Sequence, residues 1–304
     1  MRKFIKKIFD SIAYSSPVSN KILRNINKAI SSFTSFRIRP FGIFTLKLSS
    51  GNTFKMLTNE TSYVTKTLFW NGTQNFEYTP IFEKLITQCR TFLDVGANTG
   101  YYSLIAATEN SGIRIYAFEP SLGPSHFLRR NIEINTFNDQ ITHYPLALSD
   151  RAGTIDFFEI RTTTAKEDFN LSGVGTTKKI FSTQENSSIV KVKADTLDSV
   201  MNELGQIPVD LIKMDTEGTE DYILRGSSNT IAKHKPIIIC ETLFNQIEKD
   251  IEFIMKAHGY QFYNHLNGHL HKVETLIRKE DNGVRDCFMV HHEKIHMIKS
   301  FIAS

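Results

Sequence analysis

The sequence predicts an α/β protein: a doubly wound, mostly parallel sheet with an antiparallel last strand, preceded by a small N-terminal β-rich cap. Three observations predict it. From Pro80 onward, short apolar runs alternate with helical stretches at the spacing of βαβ units. The first apolar run passes into a helix through DVGANTG, a tight glycine-bearing loop. The last two strand-like runs, YQFYN and DCFMVHH, follow one another with no clear helix between them, which favours an antiparallel pair.

The elements follow in order. Residues 1–35 read as a basic helical segment. In MRKFIKKIFDSIAYSS, Phe4, Ile5, Ile8, Phe9 and Ile12 recur at helical spacing, without a continuous apolar stretch or cleavage site of a signal peptide. Two readings stand, a helix lying on an acidic membrane face and, more plainly, a helix packing on the body or on a partner subunit. Residues 36–79 read as the cap, a few antiparallel strands around the turn residues Ser49 to Asn52. Trp70, Phe76 and Tyr78 are expected to pack there rather than line a pocket mouth. Residues 80–304 read as the main domain. It opens with a helix (80–88), the strand TFLDV, a helix from Tyr101, the strand RIYAFEP and a helix from about 124 to 135. The strand ITHYPLAL precedes an insertion at about 153–197. There TIDFFEI and VKVKADTL alternate with period two and flank a polar loop, FNLSGVGTTKKIFSTQENSS. VDLIKMD, a helix from about Thr219, PIIICET, a helix over about 246–257 and the closing pair complete the sheet.

Composition narrows the function classes. Hydrophobic residues make up 40% of the 304 and charged residues 22%, enough for a large core and against global disorder. The net charge of +4 falls short of a nucleic-acid binder's dense basic stripe. Cys89, Cys240 and Cys287 lie far apart, so neither a disulfide framework nor a zinc site is expected, and a reducing, cytoplasmic compartment fits. No apolar run reaches the roughly 18 residues of a membrane span.

The loop DVGANTG admits three ligand classes. A P-loop requires G-x-x-x-x-G-K-[ST], and Tyr101 follows Gly100 where the lysine belongs. A dinucleotide loop wants G-x-G-x-x-G, and Asn98 and Tyr101 occupy its second and third glycine positions. The remaining pattern, D-x-G-x-x-x-G, is the S-adenosylmethionine loop. A carboxylate such as Asp94 favours a nearby sulfonium and ammonium and repels a pyrophosphate. Glu119, 25 positions after Asp94 at the end of RIYAFEP, is placed to accept ribose hydroxyls. That argues for a nucleoside without choosing between NAD and S-adenosylmethionine; the glycine spacing makes the choice.

DVGANTGYYS, AFEP, ALSD at 147–150, and above all DLIKMDTEGTEDYILRG followed by KPIIICE resemble the FkbM family of methyltransferases. The likeness runs from about Phe76 to Glu241. It implies a Rossmann-like methyltransferase sheet and O-methylation of sugars, polyketides or other metabolites. It also implies Asp94, Gly96, Ala97, Asn98 and Gly100 around the methionine part, Glu119 on the ribose, and Ala147, Leu148 and Ser149 near the adenine.

Methyl transfer to an alcohol needs an in-line acceptor oxygen and a base for its proton. In LIKMDTEG, alternation sends Lys213 and Asp215 to one face of a buried strand, costly unless paired or used. Glu217 follows at the loop tip, and Glu241 ends the strand PIIICE at the same sheet edge. Lys213, Asp215, Glu217 and Glu241 are therefore the candidate chemical residues, with Asp215 or Glu217 as base. Asp215, Glu217 and Glu241 are also a candidate magnesium set, but proton transfer needs the same residues, so no metal is assigned. Glu220 and Asp221 read as helix N-terminal electrostatics. His143, His291 and His292 fall in strands, while His265, His269 and His271 crowd a loop that is counted among acceptor-pocket candidates. The expected activity is O-methylation of a small metabolite or carbohydrate hydroxyl. A nucleic-acid methyltransferase is disfavoured because the acids of DTEG repel phosphate. An NAD oxidoreductase is disfavoured by Asn98 and Tyr101, and a non-catalytic scaffold by the presence of the site acids.

Overall fold

The computed structural model describes residues 12–160, 169–171, 175–176 and 187–303. The helical reading of residues 1–11, and most of the polar loop of the insertion, lie outside the described residues.

Helix α1 (Pro17–Ala29) starts at Ser16, whose hydroxyl accepts from the Ser19 N–H, with proline in its first turn. Strands β1 (Gly42–Lys47) and β2 (Thr53–Thr58) form an antiparallel hairpin that buries alternate residues. The 36–79 segment is not all strand. Helix α2 (Tyr63–Asn71) follows, capped by Ser62 and ended by Gly72 at φ 80°. Its valine and threonines read as strand formers, and its caps decide otherwise. Phe76 and Tyr78 are buried and the Trp70 indole donates to the Ile38 carbonyl, so these aromatics pack, as expected.

The main body alternates as predicted: α3 (Thr79–Ile86), β3 (Thr91–Val95), α4 (Tyr101–Glu109), β4 (Arg114–Phe118), α5 (Leu122–Ile134) and β5 (Ile141–Tyr144). The run ITHYPLAL is two strands, because Pro145 offers no N–H to continue a ladder. After it, β6 (Ala147–Leu148) joins a separate sheet with β7 (Gly153–Ile160), β8 (Gly175–Thr176) and β9 (Ser187–Asp195), in the order β6-β9-β7-β8. The β7–β9 pair is the expected antiparallel hairpin of the insertion. Next come α6 (Leu197–Glu203), β10 (Leu211–Met214), α7 (Glu220–Arg225), α8 (Ser228–His234), β11 (Ile237–Glu241), α9 (Glu248–Ala257) and β12 (Tyr260–Leu266). The histidine-rich stretch after β12 is no loop. It forms β13 (His269–Val273), turned back on β12 through Asn267 and Gly268, both at positive φ. That is an Asn-Gly hairpin turn, a signal present in the sequence. Strand β14 (Asp286–His291) and the short helix α10 (Ile295–Ile298) complete the order.

The main sheet runs β13-β12-β14-β11-β10-β3-β4-β5. Strands β11, β10, β3, β4 and β5 are parallel, while β14 is antiparallel to both of its neighbours. Apolar layers cover both faces, so strands such as β3 are buried along their whole length. The chain leaves β3 to one side through β4 and returns to its other side with β10. The carboxyl ends of β3 and β10 therefore flank the switch point, where ligands bind in such sheets.

Candidate active site

At the switch point, Asp94 of β3 and Lys213 of β10 are register partners. Both side chains are buried on one face, since alternation puts Ile212 and Met214 into the opposite layer. The Lys213 ammonium donates to the Gly96 carbonyl at 2.9 Å and lies 3.7 Å from Asp94 and 3.5 Å from Asp215. Burial alone would pull Lys213 down, but Asp215 and Asp94 hold its ammonium above the ordinary lysine value. Burial pushes Asp94 up, opposed by Lys213 and by the Ser103 hydroxyl and N–H, which both donate to it. Its side chain is fully enclosed. Asp94 thus ties the loop to α4 and to β10, and Asp215 is the carboxylate of this group that reaches the surface.

The loop has no room for side chains at its glycines. A Cβ on Gly96, at φ 71°, would stand 2.0 Å from the Asp215 carbonyl, and one on Gly100, at φ 91°, would stand 2.5 Å from Leu128. The N–H groups of Gly96 and Ala97 both donate to the Phe118 carbonyl. Asn98 takes a left-handed conformation at φ 51° and gives its N–H to Glu119 at 2.8 Å. Glu119 also accepts from the Ser121 N–H. Burial pushes its carboxyl up to about 7, against these two donors. Two bonds leave part of a carboxylate's accepting capacity open. Ala147 and Leu148 are buried in β6, and the Ser149 carbonyl packs so closely on Gly226 that a Cβ there would meet it at 2.1 Å.

Beyond β10 the chain turns sharply. Glu217 and Gly218 are consecutive residues at positive φ, 56° and 93°. Glu220, fully buried in the first turn of α7, accepts from both the N–H and the hydroxyl of Thr216. Its role is thus to lock the DTEG turn, more than to offset the dipole of α7. Burial, then Asp215 and Glu220, push the Glu217 carboxyl up to about 7. Burial, with Asp215 and Glu217 next, takes Glu241 to about 10, and one of its oxygens is buried without a hydrogen-bond partner.

A cavity of about 320 Å³ opens here, lined by Asp215, Glu241, Glu77, Asp286, His265 and Arg285, with the β12–β13 turn at its rim. The sequence did not single out Glu77 or Asp286. Glu77 accepts from the Tyr102 hydroxyl at 2.7 Å, and burial takes it to about 7. Asp286 is the register partner of Glu241 and is pushed well above the ordinary aspartate value, first by burial. The antiparallel direction of β14 brings its first residue to this edge, a signal available once that direction is known. Nothing local marks Glu77, which arrives from the cap side. Of the histidines, His265 lines the cavity; His143 instead meets Ser125, and His291 stands against Tyr260. Asp215, Glu217 and Glu241 do not gather ligand oxygens as a metal set: among the described residues, only His291, His292 and Glu293 bring three such atoms within 4.8 Å of one another.

The Methyltransferase FkbM domain profile matches residues 94–262, more than half of the chain. The 2-O-methyltransferase NoeI of Sinorhizobium fredii (strain NBRC 101917 / NGR234) is 26% identical over 145 residues, covering 46% of this chain and 58% of that protein. The match thus spans less than two thirds of that relative's length. Among solved structures, methyltransferase FkbM from Methylobacillus flagellatus KT superposes with a TM-score of 0.42 at 17% identity, covering 75% of this chain and 54% of that one. An O-methyltransferase from Bacillus cereus, solved in complex with SAH, gives 0.37 at 13% identity, covering 69% and 78%.

Proposed function

As the chain belongs to the methyltransferase FkbM domain family, we propose that it is an S-adenosylmethionine-dependent O-methyltransferase acting on a hydroxyl of a neutral or amine-bearing metabolite, a carbohydrate foremost. One observation carries the reading. A single ammonium, Lys213, bonds the glycine loop through Gly96 and pairs with Asp215 on the wall of the acid-lined cavity. Cofactor loop and acceptor cavity therefore meet at one residue.

The residues present fit the cofactor. Glu119, beside the Asn98 N–H, retains accepting capacity for a diol. S-adenosylmethionine, when bound, supplies a methyl group on a positively charged sulfur. Gly96, Asn98 and Glu119 would hold it, with Ala147, Leu148 and Ser149 beside the base. Asp94 and Lys213 act as positioning residues: they fix where the loop stands relative to Asp215. Glu217, on the turn directly after Asp215 and outside the residues that line the cavity, is pushed up to about 7 by burial and would take the acceptor's proton at neutral pH. Asp215 orients the acceptor hydroxyl, and Glu241, protonated at pH 7, donates a hydrogen bond to a neighbouring one. The carboxyl groups lining the cavity, three of them pushed up toward their protonated forms, offer both donors and acceptors to hydroxyl groups, which supports a polyol.

Calorimetric titration of the purified chain with S-adenosylmethionine, S-adenosylhomocysteine and NAD tests the cofactor. Binding of the two sulfur ligands, lost in Glu119→Ala and absent for NAD, supports the reading; binding of NAD alone overturns it. Radiolabelled methyl transfer to a panel of neutral, amine-bearing and phosphorylated sugars then tests the acceptor class.

A further inference from the structure

The polarity of helix α1 is inverted. Its body-facing residues are Asn20, Arg24 and Asn27, all buried. The Asn20 amide donates to the Arg39 carbonyl and accepts from the Phe41 N–H. The Asn27 amide donates to the Phe36 carbonyl and accepts from the Ile38 N–H. The Arg24 guanidinium lies 4.3 Å from the centroid of the Phe69 ring. These contacts fix how the helix is rotated. Its outer face then carries Val18, Ile22, Ile26 and Ile30, at four-residue steps and 47–68% exposed. The turn after it adds Phe33, 89% exposed. Rolling the helix inward to bury this stripe would break four hydrogen bonds and strand an arginine, so the described residues offer the stripe no cover.

The charge around the stripe is one-sided. From Ile12 to Asn59 there are seven lysines or arginines and no aspartate or glutamate. Lys21, exposed and one residue before Ile22, borders the stripe, while Lys28 holds its ammonium 5.5 Å from the centroid of the Phe69 ring on the body side. From Glu60 to the end the balance reverses, with 25 lysines and arginines against 31 aspartates and glutamates. An apolar helix face edged by cations suits the boundary between anionic headgroups and acyl chains, with the lysine stems lying along the apolar surface and their ammonium groups at the phosphates. A second copy would set cations against cations.

We propose that the outer face of α1, with Phe33, docks on the surface of an anionic lipid bilayer. This surface stands apart from the methyl-transfer reading. The test is flotation of the full chain with vesicles of phosphatidylcholine alone and of equimolar phosphatidylcholine and phosphatidylglycerol. The chain floats with the anionic vesicles, stays behind with the neutral ones, and is released as salt is raised. Ile22→Ser/Ile26→Ser/Phe33→Ser leaves residues 1–11 intact and lowers the bound fraction at least about tenfold. Lys21→Glu, which spares the apolar stripe and the Lys28–Phe69 contact, lowers it as well. Circular dichroism of both variants matches the parent. Unchanged flotation of the triple variant overturns the proposal. So does a stable dimer of the parent, measured by light scattering without lipid and dissolved by the same variant, because the stripe would then be a contact between copies.

Discussion

The Glu217 carboxyl combines a left-handed backbone with burial beside Asp215 and Glu220. As the proposed base, it is expected to make the methyl-transfer rate rise with pH through about 7 and level off above. Glu217→Gln is expected to lower kcat roughly a hundredfold or more, to abolish that pH limb, and to leave S-adenosylhomocysteine affinity unchanged. An unchanged limb in the variant removes Glu217 from the chemistry. Gly96 gives a second test. Gly96→Ala forces a Cβ toward the Asp215 carbonyl at a positive φ. Urea denaturation is expected to show a loss of about 1–3 kcal/mol, and cofactor binding weakens with it. Asp94, Gly96, Glu119, Lys213 and Asp215 were legible in the sequence because each sits within a few residues of a strand end whose pattern is local. Glu77 and Asp286 were not. Each reaches the cavity from a segment distant in sequence, and only the assembled sheet puts them beside Asp215 and Glu241.

Strand β10 places Lys213 opposite Asp94 in a buried, largely apolar layer, with Ser103 and Asp215 beside the pair. Lys213→Met leaves the Asp94 carboxylate enclosed without its cation, and breaking such a pair costs about 3–5 kcal/mol. Chemical denaturation checks this, and Lys213→Met/Asp94→Asn is expected to recover part of the loss. The strand–loop–helix units were readable because their periodicity is intrinsic to the chain. The departures have local causes. Pro145 divides one apolar run into strands of two sheets, capping by Ser62 and Gly72 turns a β-branched stretch into α2, and Asn267-Gly268 folds a histidine-rich segment back as β13. Gly268 has open space around it. Gly268→Ala therefore isolates the conformational cost of its positive φ, about 1 kcal/mol. With His265 of the cavity lining three residues before Gly268, that change is expected to raise the KM for acceptor more than it lowers kcat.

For the molecule as a whole, the gathered carboxyl groups set the direction of its acid–base stability. Glu77, Glu119 and Glu217 rise from 4.5 to about 7 on folding, and Glu241 to about 10. The folded state therefore binds their protons more tightly than the unfolded chain. The stability these groups contribute is complete below about 4.5 and is lost as pH climbs through 7, with the Glu241 share continuing to fall toward 10. Thermal melts are expected to show Glu241→Gln gaining on the parent as pH rises from 7 to 10; a constant difference between the two would contradict it. The division between a cationic first fifth and an acidic remainder has a separate outcome at the bench. A sequence pI near 8.8 predicts passage through an anion-exchange column at neutral pH. Because the charges are segregated, the resin sees a patch and not an average, and the chain is expected to be retarded on quaternary-amine and sulfonate media alike, like a two-faced colloid.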